Sequence, residues 1–325
     1  MKYIDLHCDT LMQAYFAGKD DIFELENTML DVKRLQSGKN MAQFFAIFMP
    51  PISYIEDADK KYPGDEAYIQ YLYQILINTT KKFPDTISLA KYYNDLIKNN
   101  RTGKISAFLT LEDGRAVDGS IENLERYYEM GIRLISLTWN SKNCFGSPNS
   151  TDPIIMNQGL TDFGKEAVVR MQELGMLVDV SHLSDGGFWD VKSLCKTPFV
   201  ASHSNCRSLC SHQRNLTDEM IYALAESGGV IGLNFYPDFL SENNEDRISR
   251  IKDMVRHLEH LVKYGGEDCV SIGTDFDGMS GTFEIDSPDK MYLLFDELHK
   301  NHFSDDLIDK IAYKNARRVI QDVIR

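Results

Sequence analysis

Near the N-terminus the triplet His7-Cys8-Asp9 ends a short apolar run, Tyr3-Ile4-Asp5-Leu6. On an extended strand, side chains two positions apart leave the same face. His7 and Asp9 then point together and Cys8 points away. An imidazole nitrogen beside a carboxylate oxygen suits a divalent cation such as zinc. A single His-x-Asp triplet is common by chance, so its weight depends on what ends the other strands. Glu112, Trp139-Asn140, His182, His203, and Asp275 with Asp277 each follow a later strand-like run. Three histidines, an aspartate and a glutamate are enough donors for two metal ions if one carboxylate bridges. Glu112, with its longer stem, is the natural bridge.

The runs that must position these residues are apolar, β-branched or aromatic. They lie at Tyr3–Leu6, Met41–Met49, Ile105–Leu111, Ile132–Thr138, Met176–Val180, Phe199–Ser202, Val230–Phe235 and Val270–Gly273. Amphipathic helical patterns alternate with them, as at Glu122–Met130, Thr161–Leu174, Thr217–Glu226 and Ile248–Tyr264. Gly131, Gly175 and Gly228-Gly229 stand where helices need a left-handed cap before the next strand. Eight strands alternating with helices predict an α/β fold of the (β/α)8 TIM-barrel type, whose reactive groups sit at the C-terminal strand ends. Residues 50–100 are longer than one crossover requires and predict two additional helices after strand 2, flanking the barrel mouth. Further helices are expected at the C-terminus, over 287–325. No linker, repeat or low-complexity tract interrupts the pattern, which predicts one domain over 1–325.

Composition narrows the function. A formal net charge of -14 without a basic cluster argues against a nucleic-acid partner. No apolar stretch has membrane-spanning length and no leader pattern opens the chain, so the expectation is a cytoplasmic protein with no membrane partner. The six cysteines, Cys8, Cys144, Cys195, Cys206, Cys210 and Cys269, include no Cys-x-x-Cys pair and read as reduced, mostly buried thiols. The pairs His257/His260 and His299/His302 are three apart on charged helices and read as solvated rather than chelating. Oligomeric state is open; a homodimer is the commonest assembly of soluble oligomers.

The chain resembles the membrane (renal) dipeptidase family, peptidase family M19, among the amidohydrolase-like metal-dependent barrels. The stretches that carry the resemblance are Asp5-Leu6-His7-Cys8-Asp9-Thr10, Leu111-Glu112-Asp113-Gly114, Asp179-Val180-Ser181-His182, Ala201-Ser202-His203-Ser204, Gln213-Arg214-Asn215, Gly232-Leu233-Asn234-Phe235-Tyr236 and Gly273-Thr274-Asp275-Phe276-Asp277-Gly278. They keep family order over nearly the whole chain. The resemblance implies a zinc-dependent dipeptidase with two Zn2+ per chain, small dipeptides as substrates, and tolerance of a D-residue at the C-terminal position. By position, His7 and Asp9 would bind one zinc, His182 and His203 the other, with Glu112 between them. Asp275 would move the proton as the catalytic acid–base. Arg214 would hold the substrate carboxylate, a task its paired donors suit chemically.

Two departures from the family pattern stand out. Better-known members read Leu-Thr-His where this chain has Leu137-Thr138-Trp139. Indole has one N–H donor and cannot bind metal or accept a proton. Oxyanion support would then fall to Trp139, Asn140 or Asn143, which makes Trp139 and Asn143 candidate substrate-binding residues. Asp113 beside Glu112 adds a carboxylate where the family commonly has glycine. Asp277 reads as a loop-shaping carboxylate. Other readings are an amidohydrolase of N-acyl amino acids or cyclic amides, and a non-catalytic peptide-binding descendant.

Overall fold

The computed structural model describes residues 1–58, 61–242 and 245–325. Eight parallel strands form a closed barrel: β1 (Tyr3–Cys8), β2 (Asn40–Phe48), β3 (Ile105–Glu112), β4 (Ile132–Ser136), β5 (Leu177–Asp179), β6 (Val200–Ala201), β7 (Val230–Leu233) and β8 (Val270–Ile272). Consecutive strands pair, except that β2 joins β3 across the intervening segment, and β1 closes on β8. The expected TIM barrel is therefore the observed fold.

Strand and helix follow from side-chain type. β2 and β3 are long, rich in aromatic and branched residues and buried along their whole length, as strands covered on both faces must be. Helices Ile121–Met130 and Asp162–Leu174 begin at Ser120 and Thr161, whose side chains accept from the third backbone N–H. They end at Gly131 (φ 118°) and Gly175 (φ 79°), where glycine adopts the left-handed cap without a Cβ penalty.

Ile4, Phe44, Phe108, Leu134, Leu177, Val200 and Val230 form one apolar cluster, and the final helix, Asn315–Val323, adds Ala316, Val319, Ile320 and Val323 to it. That end of the barrel is filled with hydrocarbon. Along β3, Phe108 and Glu112 lie four residues apart and so share a face. The carboxylate emerges at the strand's far end, above the apolar layer.

The segment after β2 is more elaborate than expected. It holds helices Ile52–Asp57 and Asp65–Lys82, a short strand Ile87–Leu89, and helix Tyr93–Arg101. The extra strand pairs with residues 105–107 of β3, below the point where β4 joins that edge at Leu109. Residues 59 and 60 of this segment lie outside the described residues. The C-terminal helices are present as expected, at Tyr292–Lys300, Asp305–Asp309 and Asn315–Val323. No helix among the described residues is long and apolar enough to cross a membrane.

Two contacts fix the rim. Asp5 ties β1 to its neighbours: Oδ1 accepts from the Thr274 N–H (2.9 Å), and Oδ2 from the Thr274 hydroxyl (2.7 Å) and the Gln43 amide (3.0 Å). One residue before Thr274, and across the sheet, Gly273 and Gly232 press against the Ser202 carbonyl. A Cβ on Gly273 would lie 1.8 Å from that oxygen, and one on Gly232 2.0 Å away. Gly273→Ala is therefore expected to lower unfolding free energy by about 2–3 kcal/mol in urea titration. Ser271→Ala, which removes a hydroxyl without a partner, should leave the urea midpoint nearly unchanged.

Candidate active site

The strand-end residues converge. Glu112 Oε1 lies 3.1 Å from His182 Nε2 and 3.5 Å from His203 Nε2, while Oε2 lies 3.4 Å from His7 Nε2. His7 Nε2 is also 3.6 Å from Asp9 Oδ2 and 3.7 Å from Asp275 Oδ1. Two overlapping donor sets result, His7–Glu112–His203 and His7–Asp9–Asp275, each with its ligand atoms within 4.8 Å of one another. All of these residues are buried except Asp275, which is partly open to the cavity.

The hydrogen bonds behind the imidazoles show what belongs in front of them. Asp179 Oδ2 accepts from the hydroxyls of Ser136 (2.5 Å) and Ser202 (2.6 Å). With its proton spent, Ser202 Oγ can only accept at 2.7 Å from His203 Nδ1–H. Asn140 Oδ1 likewise accepts from His182 Nδ1–H at 3.2 Å. Both Nε2 atoms are then bare lone pairs, 3.1 Å apart and facing Glu112. Burial, with Arg214 and His7 nearby, holds both imidazoles well below the ordinary histidine value, which favours the neutral rings. Two lone pairs and a carboxylate repel one another unless a cation lies between them. Metal–donor bonds of about 2.0–2.2 Å in a tetrahedron place neighbouring donors roughly 3.2–3.6 Å apart, close to the spacings around Glu112 Oε1.

The His7 side makes the same demand. Both ring nitrogens of His7 and Asp9 Oδ1 are buried without hydrogen-bond partners. Burial would lower His7, but Glu112 and Asp9 outweigh it and raise it well above the usual value. Burial pushes Glu112 up to about 8, with Asp9 adding and His7 opposing. Positive charge is in demand at this point. Gly278 keeps the space open, because a Cβ there would lie 2.1 Å from Asp9 Oδ2 and 2.6 Å from Asp275 Oδ1.

Backbone strain gathers at the same rim. Asp113, His182, Asp275 and Asp277 all have φ between 66° and 70°, a region that costs non-glycine residues of order 1–3 kcal/mol. The His182 carbonyl is held by the Asn149 N–H (2.8 Å), the Asn149 side-chain amide (3.0 Å) and the Thr138 hydroxyl (3.2 Å). Asp277 is spent on loop-shaping, as expected. It accepts from the Thr10 hydroxyl and the Met29 N–H, both at 2.6 Å. Asp113 turns away from the centre, accepting from Asn143 Nδ2 (2.7 Å) with Arg115 3.8 Å off.

The cavity above the donors has a volume of about 370 Å³. Its walls include Asp9, Glu112, His182 and Asp275, together with Trp139, Asn140, Phe48, Tyr54 and Tyr236. Burial raises Asp275 to about 6, and its Oδ2 accepts from Asn234 Nδ2 at 3.0 Å. Trp139 meets Phe48 edge-on at 5.0 Å between ring centres and lies 6.1 Å from the His182 ring.

Two other sequence candidates sit differently. Asn143 does not reach the cavity: its amide donates to Asp113 and the Leu137 carbonyl (2.8 Å), and its Oδ1 accepts from the Phe145 N–H. Arg214 is buried behind the cavity wall, bonded to the Ser204 hydroxyl (3.3 Å) and the His203 carbonyl (3.1 Å), with Nε unpartnered. Among the described residues no carboxylate pairs with it, and burial lowers it to about 10.

Sequence reasoning missed the Ser202–Asp179 relay and the pairing of Asn140 with His182. Alternation in the Asp179-x-Ser181 and Ser202-His203 stretches carried a signal for the first. His257 corrects another expectation. It is not solvated but fully buried, accepting from the Cys206 N–H (3.1 Å) and bonding the Leu240 carbonyl (3.0 Å). The charged sequence around it hid the apolar face of helix Ile251–Gly265. His299 is exposed and pairs with Asp305 at 3.0 Å.

A (β/α)8 barrel whose mouth gathers imidazoles and carboxylates around one cavity defines the class of metal-dependent barrel hydrolases. The membrane dipeptidase (peptidase family M19) model matches residues 1–325, and the chain belongs to that family. It is 34% identical over 235 residues, covering 70% of this chain and 86% of the relative, to an uncharacterized protein in the pqqA 5′ region of Klebsiella pneumoniae. It is 32% identical over 306 residues, covering 86% and 69%, to an uncharacterized dipeptidase of Schizosaccharomyces pombe. A metallo peptidase from Rhodobacter sphaeroides, solved with a phosphinate mimic of the dipeptide L-Ala-D-Ala, shares the fold with a TM-score of 0.88 at 24% identity, over 99% of both chains.

The acceptor behind His182 can be removed. Asn140→Ala frees His182 Nδ1 and should weaken metal retention roughly 10- to 100-fold, read by competition with a chromophoric chelator. Circular dichroism should remain unchanged.

Proposed function

We propose that this chain is a cytoplasmic zinc dipeptidase that holds two zinc ions and splits L-L and L-D dipeptides. The observation that carries the reading is the convergence of His7, Asp9, Glu112, His182 and His203, with the Nε2 atoms of His182 and His203 both turned toward Glu112. Six free cysteines, four of them buried, fit a reducing compartment. The Rhodobacter sphaeroides peptidase, bound to a mimic of L-Ala-D-Ala, supports tolerance of a D-residue.

His7 and Asp9 would hold one ion and His182 and His203 the other, with Glu112 offering one oxygen to each side. When bound, such ions acidify water toward neutrality and polarise a carbonyl. Asn234 fixes Asp275 Oδ2, so Oδ1 is the oxygen free to act. Asp275 takes the proton of the attacking water and delivers it to the departing amine nitrogen, acting as base and then as acid. Arg214, a buried cation lacking an anionic partner, would take the substrate's C-terminal carboxylate. Trp139 presents an indole N–H at the cavity wall, where a developing oxyanion could receive it.

Purified protein should contain close to two zinc per chain, hydrolyse free dipeptides, and lose that activity to a chelator. Dipeptide amides should react roughly 100-fold more slowly, since the charge-assisted contact is lost. A metal-replete protein inert toward every dipeptide overturns the reading; equal rates on acids and amides overturn the role of Arg214. Asp275→Asn should reduce kcat by roughly 10²- to 10⁴-fold with zinc content intact. A fall in zinc content would instead make Asp275 a metal ligand.

A further inference from the structure

Four large apolar or aromatic side chains of the cavity wall come from the β1, β2 and β4 ends of the barrel. Phe48 ends β2, and Trp139 follows β4. Tyr54, from the helix after β2, and Met12 complete an apolar face of the same cavity. Arg214 is anchored on the other side of the ring, at the Ser204 hydroxyl and His203 carbonyl beyond β6, with its guanidinium 5.4 Å from the Phe239 ring beyond β7. In a closed ring of eight strands, β2 and β6 are diametrically opposed. The donors around Glu112 lie between the two sides.

We propose that the enzyme selects dipeptides with a large apolar or aromatic residue on the amino side of the scissile bond, seated against Phe48, Tyr54, Met12 and Trp139. The inference rests on the dipeptidase reading and on Arg214 as the carboxylate site. A substrate whose carboxylate points to β6 and whose carbonyl lies over the centre extends its first residue toward β2. A dipeptide spans only about 7 Å when extended, so its first side chain has that wall as its nearest neighbour. Among the described residues no lysine or arginine lines this cavity in front of Arg214, and an acidic side chain on the apolar face would meet the carboxylates of Asp9, Glu112 and Asp275. Phe48 and Trp139 meet edge-on, the arrangement in which a substrate ring would also pack favourably against them.

The test is kcat/KM for Phe-Ala, Leu-Ala, Ala-Ala, Asp-Ala and Ala-Phe with the zinc-loaded enzyme, its Phe48→Ala variant and its Tyr54→Ala variant. Phe-Ala and Leu-Ala should exceed Ala-Ala by roughly 10- to 100-fold, the gain from burying one large apolar side chain. Asp-Ala should be the poorest substrate. In either variant the Phe-Ala to Ala-Ala ratio should fall at least several-fold, mainly through KM. That ratio is unmoved by a general loss of active protein. Tyr54 is half exposed (51%), so its variant remains informative if Phe48→Ala fails to fold. Ala-Ala hydrolysed as fast as Phe-Ala, or a ratio unchanged in the folded variants, overturns this specificity while leaving the dipeptidase reading standing. Ala-Phe favoured over Phe-Ala, with the preference lost in the variants, assigns the wall to the other residue and also overturns it. Inertness toward the whole panel overturns the dipeptidase reading itself.

Discussion

A cluster of electron-rich groups at the barrel mouth organises this molecule. Two imidazole lone pairs 3.1 Å apart face one carboxylate, an arrangement that repels itself in the low dielectric of a protein interior. It persists because the other side of each imidazole is committed. Ser202 can only accept from His203 because Asp179 takes its proton, and Asn140 accepts from His182. Protonating either ring would place a charge near Arg214, which has no anionic partner of its own among the described residues. The site thus holds an unfulfilled demand for a cation on one side and for an anion on the other. A metal centre with a carboxylate-bearing substrate answers both.

Meeting that demand constrains the scaffold. The donors must come from β1, β3, β5 and β6, so the barrel has to close tightly enough for distant strand ends to share one cavity. Asp5 fastens β1 to β2 and β8 by three accepted bonds. Gly232 and Gly273 allow β7 and β8 to approach the Ser202 carbonyl. The left-handed backbone at His182 and Asp275 turns the chain sharply beyond the strands and is held by neighbouring hydrogen bonds. Strain is tolerated here because the apolar layer below, plugged by helix Asn315–Val323, is continuous.

Much of this architecture was readable in the sequence because it depends on local pattern. All eight barrel strands follow from their apolar runs, even β6, which retains only Val200 and Ala201 as regular strand. The convergent imidazoles and carboxylates were readable because strand ends are where barrels place chemistry. What escaped depends on tertiary contact. Asn143 is a polar residue beside the site, yet all of its capacity is absorbed by Asp113, Leu137 and Phe145. Asn140 looked like a substrate donor but faces a histidine. The aromatic wall draws Phe48 and Tyr54 from either side of a loop whose path no periodicity reveals. Strand Ile87–Leu89 is too short to stand out, and the burial of His257 is set by the packing of a helix whose sequence looks solvent-facing.

The seam between β1 and β8 has a consequence for biosynthesis. The first strand made waits for the last before both of its edges are paired, a contact of very high sequence separation and correspondingly slow closure. His7 and Asp9 stand on one side of that seam and Asp275 on the other. A nascent chain, or one whose ring has sprung open, holds these groups apart. The cluster of His7, Asp9 and Asp275 therefore assembles only as the ring closes.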